Sequence, residues 1–344
     1  LLLLAAPVDE ARFVSIDAVV TGAIRDRLLP GAVVLVGQGE RDVYLKAFGD
    51  RVVVPRREPM TQDTIFDAAS LTKVVATATS VMILVQEGRI RLADRVSTFI
   101  PGFEKHGKDD VTIRHLLTHV SGLRPDLDLD KPFEGGHRRA IEPAIEEPLE
   151  APPGERFIYS DINFFLLGDI VARVSGDPLD VFARTRIFEP LGMRDTVATL
   201  AQVSGGANAA SPHSRVNGQV KVIQNVSVDP VAAAGSVWSS ASDMAKWMQF
   251  LLDGGRTGGP DGPRLLSERT VAELFRRQTI APESMYPTTR LVKPHWMTYG
   301  LGWFQQDYRG RAVNFHTGSI DGMIAILGLI RDERLGVFVL GNLD

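Results

Sequence analysis

Apolar positions along the chain recur with periods that predict its secondary structure. Near the N-terminus, helical spacing predicts an amphipathic helix over residues 9–29. Apolar runs at the two ends of the chain predict β-strands, at 32–36, 43–48, 64–66, 299–304, 312–316, 323–327 and 336–340. Helical spacing with polar starts and glycine stops predicts further helices, over 70–88, 113–119, 161–174, 239–252 and 267–277.

This distribution of strands and helices predicts one α/β (α+β) domain over residues 8–344. We expect an antiparallel sheet, built from the N- and C-terminal strands and flanked by helices, in an α/β lobe of residues 8–69 and 295–344. A mostly helical lobe, residues 70–294, is inserted between them. Residues 124–156 are rich in Pro, Gly and charge and predict an irregular excursion. Since residue 344 directly follows an apolar strand, a further helix is expected beyond it.

Composition narrows the range of functions. The 344 residues are 44% apolar and 23% charged, with a formal net charge of −4 and no cysteine. This is the composition of a soluble globular protein. The net charge gives no basic surface for nucleic acid, and the absence of cysteine excludes disulfides and a thiol nucleophile. Residues 1–7 are typical of a signal-peptide remnant and favour export, although a cytoplasmic location stays open. No other segment is apolar enough to predict a membrane span.

The helix predicted from residue 70 begins with Ser70-Leu-Thr-Lys73, which places a hydroxyl and an amine one turn apart on the same face. Such a pair can serve as nucleophile and base, and the helix start favours developing negative charge. A single Ser-x-x-Lys is also expected by chance, as a first-turn serine with an exposed lysine. The helix is apolar almost all round, however, so a lysine at its start is expected to be buried and paired.

Two later motifs carry further polar chemistry. Tyr159-Ser-Asp161 precedes an apolar helix, so the phenol is expected on a loop at a helix entrance, where it can reach into a cleft. An ordinary half-buried tyrosine is the alternative. His316-Thr-Gly-Ser319 ends a predicted strand, and Gly318 permits a close approach to the backbone. His115 and His119 lie four residues apart, but capping or core roles are favoured over a metal site. No phosphate loop, dinucleotide fingerprint or Gly-x-Ser-x-Gly motif is present, and no metal or cofactor is predicted.

The three motifs in this order resemble those of the serine β-lactamase and penicillin-binding-protein superfamily. The similarity is to the branch of class C β-lactamases, DD-carboxypeptidases and family VIII esterases, and it extends from about residue 9 to 344. The stretches His115–Leu123, Pro190–Met193 and Tyr299–Trp303 also resemble that branch.

The resemblance implies a role for each matching position. Ser70 would be the acylated nucleophile, Lys73 its base and Tyr159 the group that relays protons to and from the leaving group. The backbone N–H groups of Ser70 and Ser319 would form an oxyanion hole. His316, Thr317 and Gly318 would line the substrate site.

Two positions depart from the pattern of β-lactamases. Asp161 stands where they typically have Asn, and it is expected to pair with Lys73 and hold it protonated, which would make Tyr159 the better base. Asn163 could then replace part of the Asn role. His316 stands where many relatives have Lys, and a neutral imidazole supplies no fixed positive charge for a substrate carboxylate.

The sequence therefore predicts a serine hydrolase that acts through an acyl-enzyme on a small ester, peptide or β-lactam. A carboxylesterase or D-Ala-type peptidase with at most weak β-lactamase activity is favoured. A penicillin- or peptidoglycan-binding protein that acylates without turnover and a class C-like β-lactamase remain alternatives. Specificity is expected from residues 124–156 and 281–298, including Tyr286 and Trp296. The oligomeric state is not predicted.

Overall fold

The computed structural model describes residues 9–127, 136–203, 205–259, 261–283 and 289–343. Its α-helices are α1 Val14–Arg25, α2 Thr79–Gln86, α3 Ile113–Leu117, α4 Gly136–Glu146, α5 Asp161–Ser175, α6 Leu179–Ala183, α7 Glu189–Leu191, α8 Ala232–Gly235, α9 Ala241–Leu252, α10 Glu268–Leu274 and α11 Thr289–Val292. Its strands are β1 Gly31–Gln38, β2 Arg41–Val52, β3 Glu58–Pro59, β4 Ile65–Asp67, β5 His213–Val216, β6 Gln219–Val222, β7 Trp238–Ser240, β8 Thr279–Ile280, β9 Met297–Tyr299, β10 Phe304–Tyr308, β11 Arg311–Ile320, β12 Met323–Ile330 and β13 Leu335–Gly341.

A nine-stranded antiparallel sheet joins the two ends of the chain, in the order β3-β2-β1-β13-β12-β11-β10-β9-β8. β1 pairs with β13 in the register that sets Ala32 opposite Gly341. The predicted α/β fold class and the sheet built from the N- and C-terminal strands are therefore confirmed.

The helical segment that begins with the Ser70 motif lies at the centre of the fold. It runs from Ala69 to Gln86 as a 3₁₀ turn, a π-helical stretch and α2. By length and composition alone this segment could cross a membrane, but 83% of it is buried in the fold. It is the core helix of a globular domain, as its all-round apolar pattern predicts.

Four predicted elements differ in the structure. Residues 300–303 of the strand predicted at 299–304 connect β9 to β10. Gly302 adopts φ 87°, and the Leu301 N–H donates a hydrogen bond to the Leu274 carbonyl instead of to a neighbouring strand. Part of the predicted excursion, Gly136–Glu146, is helix α4, whose Ile141 and Ala144 are buried.

The other two differences concern the N-terminal region and the sheet. The helix predicted over 9–29 ends at Arg25. The strand predicted at 64–66, β4, pairs with β7 and not with the large sheet. The lobe predicted to be mostly helical also contains the strands β5 to β8.

Candidate active site

Ser70 lies on a tight turn between β4 and the central helix. Asp67, the last residue of β4, accepts a hydrogen bond from the Ala69 N–H at 2.8 Å. Ala69 adopts φ 45°, a left-handed conformation that costs a residue with a Cβ of order 1–3 kcal/mol. The turn leaves Ser70 partly exposed between buried neighbours. Backbone strain at a residue next to a serine, as at Ala69, is a common property of functional sites.

Lys73 is held in the π-helical stretch one turn after Ser70 and is fully buried. Its Nζ lies 2.9 Å from Ser70 Oγ, 2.7 Å from the Ala234 carbonyl and 2.7 Å from Asp161 Oδ1. The first two contacts are hydrogen bonds, and the third is an ion pair, in which Asp161 Oδ1 has no hydrogen-bond partner among the described residues. The expected pairing of Lys73 with Asp161 is therefore present in the structure.

Tyr159 lies on the loop before α5, and its hydroxyl lies close to the Ser70 side chain. Burial, and then the charge of Asp161, raise the pKa of the phenol well above its ordinary value, against a smaller opposing effect of Ser70. Lys73 Nζ lies 5.1 Å from the centre of the ring. The phenol is thus kept neutral in this site, and the expectation that Tyr159 is a better base than Lys73 stays a prediction.

His119 supports the Tyr159 loop from below. It is fully buried, and its ring centre lies 4.4 Å from that of Tyr159. Its Nδ1 accepts hydrogen bonds from the Ser160 N–H at 3.0 Å and from the Asn163 side chain at 3.1 Å. Burial, and then the charges of Lys73 and His316, lower the pKa of His119 well below its ordinary value. A neutral imidazole thus fixes the loop that carries the phenol.

Asn163 is fully buried on α5, one turn below the Tyr159 loop. Its amide bridges two residues of the preceding segment, donating to His119 and accepting from Ser121 Oγ at 2.6 Å. It is not among the residues that line the cavity beside Ser70. The geometry gives Asn163 a supporting position under the site, whereas the sequence had suggested a contact with substrate.

The second wall of the site is the C-terminal half of β11. β10 begins at Phe304, opposite Phe315, so residues 316–320 of β11 extend past β10. The Ser70 turn packs against this extension. A Cβ built on Gly318 would lie 2.1 Å from the Ala68 carbonyl oxygen, so only glycine permits this approach. Ser319, the next residue, is exposed.

His316 is fully buried at the start of this extension, and its ring centre lies 6.1 Å from that of Tyr159. Its Nδ1 donates a hydrogen bond to the Thr317 carbonyl at 2.7 Å. Burial, and then the charge of Lys73, lower the pKa of His316 to about 3. The imidazole is therefore neutral near pH 7, with Nε2 as a hydrogen-bond acceptor.

A cavity of about 140 Å³ opens beside Ser70. Its described lining residues come from every element of the site: Ala69, Ser70, Asp126, Asp161, Phe165, Val228, Val231, Ala234, Gly235, Ser319 and Ile320. Asp126 had no motif to mark it in the sequence.

This geometry can be compared with known proteins. A sequence model of the β-lactamase family matches residues 16–344. The chain belongs to the β-lactamase family.

The sequence relatives of this β-lactamase-family chain include a bacterial protein about one and a half times as long as the matched region. A protein of Salmonella schwarzengrund (strain CVM19633), provisionally named D-alanyl-D-alanine carboxypeptidase, is 31% identical over 291 residues, which are 76% of this chain and 63% of that protein. The match thus spans less than two thirds of the relative. Its name agrees with the predicted class of activity, a hydrolase of this superfamily.

Solved structures confirm the family fold. The octameric penicillin-binding protein homologue from Pyrococcus abyssi superimposes with a TM-score of 0.81 at 26% identity, covering 97% of this chain and 74% of that one. A D-stereospecific amidohydrolase from Streptomyces sp. gives a TM-score of 0.77 at 24% identity, with 98% and 95% covered, and shows likeness of fold alone. The predicted superfamily is confirmed.

Other residues considered from the sequence lie away from the β-lactamase-family site or outside the described chain. His115 forms a capping box with Thr112 at the start of α3, and it does not join His119 in a ligand pair. Trp296 packs under the Arg277 guanidinium, 3.7 Å from the ring centre, and does not line the cavity. Tyr286 lies outside the described residues. Within the described ranges, no group of three or more His, Cys, Asp or Glu side chains is arranged to hold a metal ion.

Proposed function

We propose that this protein is a serine hydrolase that cleaves an ester or amide bond through an acyl-enzyme on Ser70. The observation that carries the proposal is that Ser70 Oγ lies 2.9 Å from Lys73 Nζ and beside the Tyr159 phenol. A nucleophile in contact with two proton-transferring groups is the arrangement that acyl transfer requires.

The proposed proton transfer begins from the ion pair of Lys73 and Asp161. Transfer of one proton from Lys73 to Asp161 Oδ1, 2.7 Å away, leaves an amine that accepts the Ser70 proton as Oγ attacks the carbonyl carbon. The neutral phenol of Tyr159 then donates its proton to the leaving group. Return of the Asp161 proton to the phenolate through Lys73 restores the starting charges, and water releases the acyl group from Ser70.

The negative oxygen of the tetrahedral intermediate needs hydrogen-bond donors. The backbone N–H groups of Ser70 and Ser319 are proposed for this role, since the turn and the β11 extension meet where Gly318 contacts Ala68. In other serine hydrolases one such donor lowers the barrier by about 3–4 kcal/mol.

Among the substrate classes, an ester or an amide without a carboxylate beside the scissile bond fits best. His316 is fully buried, and its pKa is lowered to about 3, so it supplies no positive charge for a substrate carboxylate. Recognition of penicillins or of a C-terminal carboxylate is therefore disfavoured. We therefore propose a carboxylesterase or D-peptidase with weak β-lactamase activity at most. We also propose that the protein is exported, as the composition of residues 1–7 suggests.

The test is a side-by-side assay of a short-chain p-nitrophenyl ester, a D-Ala-D-Ala peptide and a chromogenic cephalosporin, with the wild type and Ser70→Ala. We expect Ser70-dependent turnover to be fastest on the ester. Full ester hydrolysis by Ser70→Ala would refute the mechanism. Faster turnover of the cephalosporin would support the class C-like alternative. A stable penicillin adduct without turnover of any substrate would support the penicillin-binding alternative.

A further inference from the structure

The cavity beside Ser70 has an acidic lining. Asp126 and Asp161 both contribute to it, and the described lining residues include no Lys, Arg or His. The remaining walls are apolar, with Phe165, Val231 and Ile320 among them. Ser70 lines the same space, so these two carboxylates lie beside an acyl group attached to Ser70.

Asp126 is built into the site by backbone contacts with the Tyr159 motif. The Asp161 N–H donates to the Pro125 carbonyl at 2.7 Å, and Ser160 Oγ donates to the Arg124 carbonyl at 2.6 Å. Asp126 itself accepts from the Leu127 N–H at 2.8 Å through Oδ1. These hydrogen bonds fix the segment that carries the Asp126 carboxylate next to the start of α5, beside Ser70.

Among the described residues, the cations that act on Asp126 are Lys73 and Arg124, and each is paired with another carboxylate. The guanidinium of Arg124 forms two parallel hydrogen bonds with Glu147, at 2.8 and 3.1 Å. Lys73 is ion-paired with Asp161 and fully buried. Burial, and then the charge of Asp161, raise the pKa of Asp126 to about 6, against the smaller opposing effects of Lys73 and Arg124. A positive group in the cavity would relieve this repulsion between carboxylates.

We propose that Asp126 is a specificity-determining residue that binds a positively charged ammonium group on the acyl part of the substrate. The preferred substrates are esters or amides of small α-amino acids with a free amino group, since a cavity of about 140 Å³ has space for only a few non-hydrogen atoms. This inference rests on the proposed acyl-enzyme mechanism and adds the chemical class of its acyl donor.

The test compares two substrates of nearly equal shape. Alanine methyl ester, in both enantiomers, carries the ammonium group, and methyl isobutyrate has a methyl group in its place. Methanol release is followed by NMR at pH 7. We expect the better enantiomer to exceed methyl isobutyrate in kcat/KM by at least about 10-fold, the effect of one charge-assisted hydrogen bond.

Variants assign the preference to Asp126. We expect Asp126→Asn to lower the ratio of the two kcat/KM values by about 10-fold and Asp126→Glu to retain part of it. Asp109→Asn, which removes an exposed carboxylate, is the matched control and should leave the ratio as in the wild type. In the wild type the ratio should also fall as the pH drops through about 6, where Asp126 gains a proton.

The outcomes separate the two proposals. Ser70-dependent hydrolysis of both esters without a preference for the ammonium, or a preference that Asp126→Asn leaves intact, would overturn the role of Asp126 and leave the hydrolase mechanism standing. Absence of Ser70-dependent hydrolysis of either ester and of a p-nitrophenyl ester would overturn the mechanism itself, and the role of Asp126 with it.

Discussion

At the scale of single residues, the chemistry of the site depends on which groups carry a proton. Lys73 donates to Ser70 Oγ and to the Ala234 carbonyl and is ion-paired with Asp161, and burial raises the pKa of the Tyr159 phenol. Neither the ammonium of this ion pair nor the phenol can accept the Ser70 proton until one proton moves. Asp161, ion-paired with Lys73, is the acceptor within reach. An aspartate at this position thus changes the route of the proton and is compatible with Lys73 as the base.

Tyr159→Phe tests whether the phenol serves the leaving group. The variant keeps the ring that packs on His119 and Phe304 but removes the proton donor. We expect kcat to fall at least ~100-fold on a methyl ester, whose alkoxide must be protonated as it leaves. On a p-nitrophenyl ester of the same acid the loss should be clearly smaller, since p-nitrophenolate leaves without a proton. Equal losses on both esters would instead assign Tyr159 to the activation of Ser70.

His316 predicts a dependence of stability on pH. Its pKa is about 3 in the folded protein and near 6.5 when unfolded, so the unfolded chain binds the proton first as the pH falls. The stabilisation is complete above pH ~6.5 and is lost between there and pH ~3, at about 1.4 kcal/mol of unfolding free energy per pH unit.

Urea denaturation of the wild type and His316→Gln at several pH values measures this contribution. The variant should lose less stability than the wild type between pH 6.5 and 4, by roughly 3 kcal/mol. Identical pH dependence in the two proteins would show that the imidazole is not kept neutral by the fold.

At the scale of secondary-structure elements, the site depends on the contact between the Ser70 turn and the β11 extension. Gly318→Ala would place a methyl group 2.1 Å from the Ala68 carbonyl oxygen, which is a backbone atom and cannot rotate away. Gly328→Ala, on β12, is the matched control, because its nearest neighbour is Val313 Cγ1 at 4.0 Å.

We expect Gly318→Ala to lower kcat/KM on a p-nitrophenyl ester at least ~10-fold, with a loss of stability of about 1–3 kcal/mol from the forced backbone shift. Gly328→Ala should stay within about 0.5 kcal/mol of the wild type. Normal activity of Gly318→Ala would show that the two elements need not meet so closely.

Elements with a strong local signal could be predicted from the sequence. Asp161–Ser175 ends at Gly176 with φ 90°, and Ile113–Leu117 begins at a capping Thr112, as their motifs indicate. The segment 299–304 could not be predicted, because Trp303 is buried against Trp247 and Phe275 while Gly302 turns the chain beside the central helix. Apolar composition reports burial and does not distinguish a strand from a buried turn.

At the scale of the whole molecule, the site forms where segments distant in sequence meet. Ser70 comes from the start of the central helix, Tyr159 from a loop some 90 residues later, and the β11 extension from the C-terminal part of the chain. The order of the three motifs identified Ser70, Lys73 and Tyr159 as candidates. It gave no sign of Asp126 or of the Ala234 carbonyl, since neither lies in a motif and only the fold brings them to the cavity.

The measurement that tests the central claim most directly is the mass of the protein during turnover. The wild type is mixed with a p-nitrophenyl ester, quenched in acid within milliseconds to seconds, and analysed as intact protein and as peptides. We predict a transient adduct with the mass of the acyl group on the peptide that contains Ser70, and no adduct in Ser70→Ala. Steady turnover with an adduct on another residue, or undiminished turnover by Ser70→Ala, would contradict the account.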